Sequence, residues 1–238
     1  MYVCHDTGLE NITDPRMYLA KSKTKRDDPD MSSFQQAMHG ADADEWIKAM
    51  QFEVATLVQQ NTCWTAVQQT KEMNVQKGTR AFKLKRFPDA GTPTKFKARF
   101  CARGDLQQAG VDFFDTYAPV VQWSTIRLLL STFLTESWAT RQVDYTNTFA
   151  QADINEEVYL EYSKLFGPKS RTNHVLKLLK SLYGLCQAPP TFFEKLREGL
   201  LERGYVQSQL DPCLFLKNQI MCVVYVDDTI IAGPDPAV

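Results

Sequence analysis

The residues best suited to chemistry in this 238-residue chain are acids in apolar surroundings. Asp227 and Asp228 interrupt two apolar runs, Met221-Cys-Val-Val-Tyr-Val226 and Thr229-Ile-Ile-Ala232. Adjacent carboxylates with apolar flanks repel and raise each other's pKa, so the pattern calls for a compensating positive charge. A divalent cation fits: hard oxygen ligands suit Mg2+, and two ions about 3.5–4 Å apart can activate an attacking hydroxyl and stabilise a leaving phosphate. The alternative is that Asp-Asp only forms a hairpin turn, where Asp is common. A third acid, Asp144, ends the stretch Gln142-Val-Asp144 ahead of Tyr-Thr-Asn-Thr-Phe149, and a central sheet could bring it beside the Asp227-Asp228 turn.

Positive charge is concentrated elsewhere. From Arg80 to Arg103 eight basic residues stand against one acid, Asp89, in a chain whose net charge is −1. Phe82 and Leu84 before the turn-forming Pro88-Asp-Ala-Gly-Thr-Pro93, and Phe96, Ala98 and Phe100 after it, alternate as strands do and predict a β-hairpin. Lys95, Lys97 and Arg99 then share the opposite face at a pitch of about 6.6 Å, a row that suits phosphates. An ordinary solvated strand face would show the same alternation.

Positioning these groups needs a folded frame, and 44% hydrophobic with 23% charged residues excludes a disordered, collagen-like or disulfide-stapled chain. The six cysteines form no CxxC pair and the three histidines are scattered, which excludes a zinc knuckle and points to a reducing compartment. No secretion signal is visible, and no apolar segment approaches the roughly 18 residues of a membrane span, so no membrane partner is expected. Residues 1–40 are polar, with Pro15, Pro29 and the string Lys21-Ser-Lys-Thr-Lys-Arg26, and read as a poorly ordered leader or linker. From Asp42, with Glu45 as its capping-box partner, Trp46, Met50, Val54, Leu57 and Val58 recur at helical spacing and predict a core helix. Ser124 is expected to cap a second helix bearing Ile126, Leu129, Leu130 and Phe133, and a third runs from Pro190 to Arg203, closed by Gly204. Gln142–Tyr145 and Val158–Tyr162 predict short strands. Antiparallel hairpins with segregated helices give an α+β fold.

Tyr225-Val-Asp-Asp228 resembles the polymerase signature of reverse transcriptases, and its surroundings resemble the copia-type retrotransposon branch. The supporting segments are Lys97-Ala-Arg-Phe-Cys-Ala-Arg-Gly104, Thr116-Tyr-Ala-Pro-Val-Val121, Gln142-Val-Asp144, Ser181-Leu-Tyr-Gly-Leu-Cys-Gln-Ala-Pro189 and Asp211-Pro-Cys-Leu-Phe215, in the family's order between Trp46 and Ala232. The resemblance implies a right-hand polymerase whose fingers and partial palm occupy residues 41–238, catalysing attack of a primer 3′-hydroxyl on the α-phosphate of a dNTP. It implies that Asp144, Asp227 and Asp228 are the catalytic acids and hold two Mg2+ ions, for which Mn2+ can substitute. By the same resemblance Lys97 and Arg99 belong to the fingers hairpin over the triphosphate, and Phe149 matches the ring that crowds the sugar 2′ position. Gln187 falls in the segment lining the nucleotide pocket, and Tyr183 and Gly184 serve shape. Core packing is the alternative for Phe149, and a helix-entry role for Gln187. The implied partners are an RNA or DNA template with its primer, the dNTP, and other polyprotein segments such as thumb, RNase H and integrase; the family's location is cytoplasmic particles and the nucleus.

Thr148, Ala152, Tyr162, Cys186, Pro190 and Phe192 stand where the family usually has alanine, glycine, proline, a basic residue, arginine and tryptophan. Thr148 adjoins Phe149 and is expected to disturb that ring, and the absent cations at 186 and 190 to weaken phosphate or template contacts. Ten residues follow Asp228, so the thumb is expected to be absent, processive synthesis to be poor, and a sheet edge near Ile230 to be exposed. The reading from a different class is a catalytically inactive remnant that only binds nucleic acid through the basic hairpin. Another right-hand polymerase, such as an intron maturase or a telomerase-like enzyme, fits the KARFCARG and YGLCQAP segments poorly.

Overall fold

The computed structural model describes residues 30–86, 93–162 and 173–234. Along the chain, β1 (Met31–Ser32), α1 (Phe34–His39), α2 (Ala43–Ala55), β2 (Trp64–Gln68), β3 (Val75–Gln76), β4 (Gly78–Arg86) and β5 (Pro93–Ala102) lead to α3 (Trp123–Glu136) and β6 (Ala139–Asp144). There follow β7 (Tyr159–Glu161), β8 (His174–Leu178), α4 (Ala188–Glu202), β9 (Val206–Gln207), β10 (Leu214–Lys217), β11 (Ile220–Tyr225) and β12 (Asp228–Gly233). The fold is α+β, and its strands form three sheets ordered β1-β4-β5, β6-β12-β11-β10-β9 and β2-β8-β7-β3. Pairing is antiparallel throughout the first two sheets.

β4 and β5 build the expected hairpin, with Phe82 opposite Ala98 and Lys83 opposite Lys97. Trp46 of α2 meets Phe82 and Phe96 edge-on at 5.4 and 4.7 Å and seals the apolar face. The same core takes in Ala37 and Met38 of α1, so folded structure begins at Met31, ahead of the boundary read at residue 41. The cause is local: Ser33 and Gln36 form the capping box of α1, each side chain accepting from the other residue's backbone N–H. The rest of the expected leader, residues 1–29, lies outside the described residues. Asp42 makes no side-chain cap on α2, its backbone (φ −98°, ψ 21°) lying outside the extended region a cap needs, and the Glu45 side chain pairs with Lys48. α2 then passes into a π-helical turn, Thr56–Gln60, and the changed pitch buries Leu57 while leaving Val58 exposed.

The five-stranded sheet carries one helix on each face. Val223, Ile230 and Ala232 pack with Leu129 and Phe133 of α3, whereas Cys222, Val224 and Ile231 pack with Leu196 and Leu200 of α4. β12 is interior, bonded to β11 and β6, so Ile230 lies opposite Gln142 and Val223 and not at an exposed edge; the edges are β6 and β9. The N-terminus of α3 is held not by Ser124 but by the buried Asp211, which accepts from Gln122 N at 2.9 Å and Thr125 Oγ1 at 2.6 Å. Its other oxygen takes Cys213 N at 3.0 Å, so the Asp211-Pro-Cys segment is a clamp between a distant loop and α3.

Candidate active site

The β6–β12 ladder sets Val143 against Thr229 and Arg141 against Ile231, and in that register Asp144 lies opposite Asp228. Directly opposed side chains share a face with Cβ atoms about 4.5–5.5 Å apart, where like charges repel. Gln142 offsets part of this by donating its Nε2 to Asp228 Oδ1 at 3.2 Å. Asp227 occupies the turn between β11 and β12 beside Val226, whose φ of 56° is in the left-handed region. A β-branched residue there is strained by about 1–3 kcal/mol. That strain sits in the turn that presents Asp227.

Asp144 and Asp227 line one cleft of about 770 Å³, which Lys95, Lys97 and Arg99 of β5 line as well. The volume falls in the range of small-molecule sites, about 300–1,000 Å³. Tyr145, Asn147 and Tyr183 line it as well, and α2 contributes Glu45, Lys48, Phe52 and Glu53. Burial, then the neighbouring Arg99 and Lys85, pushes the Lys97 ammonium below its ordinary range, while Glu53 opposes the shift. Glu53 is buried beneath this row and accepts from Phe100 N at 3.3 Å. Burial raises its carboxyl above the ordinary value, against that backbone bond and the charges of Arg99 and Lys97. Helical spacing did carry a signal for Glu53: it continues the stripe of Trp46, Met50 and Leu57, where an acid is out of place without cations nearby.

Tyr183 does more than give shape. The Arg99 guanidinium carbon lies 4.2 Å from its ring centroid, a cation–π contact. Phe149 meets the same ring edge-on at 4.8 Å and Phe192 at 6.2 Å. Ala102 N donates to Tyr183 O at 2.8 Å, joining the end of β5 to this loop. Gly184 is held by geometry: its φ is +91°, and a Cβ there would stand 2.2 Å from Ala102 O.

Two expected pocket residues lie away from the cleft. Gln187 is buried at the start of α4, accepting from Gln107 Nε2 and donating to Asp112 O, each at 3.0 Å, which is the helix-entry role. Phe149 packs on the apolar core behind Tyr183, because the short helical turn Thr148–Gln151 points its ring inward. The buried Thr148 causes no polar conflict, since its Oγ1 donates to Tyr145 O at 2.8 Å. Phe192 fills its place against Tyr145 at 5.7 Å.

Asp228 is exposed and turned to Gln142, outside the cleft lining. Among the described residues no three His, Cys, Asp or Glu side chains are gathered closely enough to hold a metal ion, so Asp144, Asp227 and Asp228 do not form a three-carboxylate cage. A two-carboxylate site is nonetheless what Mg2+ uses, since it keeps several waters and binds through one or two carboxylates plus substrate phosphates. Burial pushes the thiols of Cys63, Cys213 and Cys222 up to about 12, so these three stay protonated and inert. Among the described residues no helix is long and apolar enough to cross a membrane.

Residues 61–238 match the family model of reverse transcriptase (RNA-dependent DNA polymerase). The retrovirus-related Pol polyprotein from transposon RE1 of Arabidopsis thaliana is 34% identical over 226 residues, which is 93% of this chain and 15% of that protein. The corresponding polyprotein from transposon TNT 1-94 of Nicotiana tabacum is 33% identical over 88% of this chain and 16% of its own length. The transposon Ty1-H Gag-Pol polyprotein of Saccharomyces cerevisiae is 32% identical over 58% of this chain and 8% of its own. The chain thus spans at most about one-sixth of these relatives.

Proposed function

Because the chain belongs to the reverse transcriptase (RNA-dependent DNA polymerase) family, as a copia-type retrotransposon segment, we propose that it adds deoxynucleotides to a primer 3′-hydroxyl on an RNA or DNA template. In this reading the β1-β4-β5 sheet with α2 is the fingers, the five-stranded sheet is the palm, and other segments of a longer polyprotein complete the grip on the duplex.

The observation that carries the reading is that Asp144 and Asp227 share one cleft with Lys97 and Arg99. The acids would hold Mg2+ or Mn2+, which when bound neutralises phosphate charge and lowers the pKa of an attacking hydroxyl. Lys97 and Arg99 bind the triphosphate through charge-assisted contacts to its phosphates. Tyr183, braced by Phe149, aims the Arg99 guanidinium and limits the space beside the sugar. No side chain needs to act as a nucleophile, since positioning and charge neutralisation supply the rate. Asp228 lies opposite Asp144 in the β6–β12 ladder but outside the cleft lining, and acts less directly.

Primer extension on an RNA template with the 238-residue chain and Mg2+ or Mn2+ tests this. Asp144→Asn and Asp227→Asn are each expected to lower the rate by at least about a hundredfold, and Asp228→Asn by less. Extension that survives both substitutions would overturn the site. Salt-sensitive binding of the hybrid with no extension would favour the inactive, nucleic-acid-binding remnant.

A further inference from the structure

α2 presents two different faces. Trp46 and Met50 turn to the interior, yet Phe52 is 70% exposed and lines the cleft with the catalytic acids and the β5 cations. Lys48, one helical turn earlier, lines it too, so a cation and an aromatic ring stand one above the other on the same wall. Isolated exposed apolar side chains are ordinary, but a solvent-facing phenyl ring in a concave cleft that carries Lys48, Lys95, Lys97 and Arg99 beside its acids is not. α2 precedes residues 61–238, which match the family model, and lies within the 93% of the chain that is similar to the RE1 polyprotein.

The combination of π-face and ammonium groups has a specific chemical complement. Single-stranded nucleic acid offers flat bases at the spacing of a charged backbone, and proteins bind it by stacking aromatic rings on the bases beside a basic groove. A free anion would use the cations and ignore Phe52; an apolar peptide would use Phe52 and pay to bury Lys48, Lys95 and Lys97. We propose that Phe52 is a base-stacking platform and Lys48 a phosphate contact for single-stranded nucleic acid entering the cleft along α2. The proposal rests on the polymerase reading above and names a contact that reading does not include. Lys48 is free to change partner: its bond to Glu45, 2.6 Å long, joins two solvent-exposed side chains, and such pairs contribute little.

The test is fluorescence anisotropy of the full chain with a labelled single-stranded RNA of about 16 nucleotides, a matched oligomer made of abasic units, and a labelled deoxynucleoside triphosphate. Phe52→Ala is expected to weaken binding of the base-bearing RNA at least about fivefold while leaving the abasic oligomer and the triphosphate unchanged. Phe52→Trp should restore the affinity. Lys48→Ala should lower the slope of log affinity against log salt by about 0.7, the value for one phosphate on a single strand. Equal affinity of wild type and Phe52→Ala for the RNA would overturn the proposal and leave the polymerase reading standing. Equal losses for RNA and abasic oligomer would also overturn it, as would a loss confined to the triphosphate. Failure of the wild-type chain to bind any of the three would overturn this proposal and the polymerase reading together.

Discussion

The two sheets that border the cleft assemble their charges by opposite means. The β4–β5 hairpin needs only its own alternation: once Phe96, Ala98 and Phe100 turn inward, Lys95, Lys97 and Arg99 must turn the other way. The five-stranded sheet has no such local logic for its acids. Asp144 ends β6, Asp227 sits in a turn whose Val226 is strained, and only the β6–β12 ladder brings them into one cleft. Charge that a strand period can place tolerates drift at neighbouring positions, whereas charge that long-range register places depends on the whole sheet.

This contrast predicts a division of labour in the kinetics. Arg99→Ala and Lys97→Ala remove charge-assisted contacts to phosphate, each of about 1.5–3 kcal/mol, so the KM for dNTP should rise by roughly tenfold to a hundredfold with a smaller change in kcat. Acid substitutions should do the reverse. Steady-state primer extension checks this, and a kcat loss for the cations equal to that for Asp144→Asn would erase the distinction between the sheets.

The junction between the two regions offers a smaller effect read as stability. Gly184→Ala places a Cβ 2.2 Å from Ala102 O at a residue with φ of +91°, and the clash is with backbone that cannot swing away. The expected cost is about 2–3 kcal/mol, measured by urea unfolding. Because Tyr183 O anchors Ala102 N, the same variant should lose the Arg99 stack and weaken triphosphate binding. A variant that keeps wild-type stability would show that the two regions are joined elsewhere.

Sequence patterning reveals most where structure is local. The hairpin, the strands around Asp227 and Asp228, and the α4 helix were legible from periodicity and turn residues; the approach of Asp144 to that turn was open from spacing alone and entered only with the family resemblance. Four features were hidden because their cause lies outside the window being read. Asp211 replaces Ser124 as the cap of α3 from across the fold. The π-helical turn after Ala55 changes the helix phase, so Val58 leaves the core. Gln187 sits in a family motif but spends both ends of its amide on Gln107 and Asp112. Tyr183 is placed over Arg99 by a loop that only tertiary contact with Ala102 positions. Motif membership pointed to the cleft; it did not distinguish residues that line the cleft from those that pack behind it.

Glu53 provides the finest probe of how the cation row is held, because it is a buried acid facing Lys97 and Arg99 on one side and Phe100 N on the other. Burial raises its carboxyl above the ordinary 4.5 more than those partners lower it. A carboxyl whose folded pKa is raised binds protons more tightly in the native than in the unfolded chain, so folding is favoured at low pH. That stability is fully present below 4.5 and declines as pH rises through the raised folded value. Glu53→Gln retains an acceptor for Phe100 N but cannot ionise, so the difference in unfolding free energy between variant and wild type should shift in favour of the variant with rising pH. The same substitution removes a negative charge from beneath Lys97, which should draw anions to the row more strongly. A stability difference that stays flat with pH would mean that Arg99 and Lys97 fully offset the burial of Glu53, and that the row is held by its strand alone.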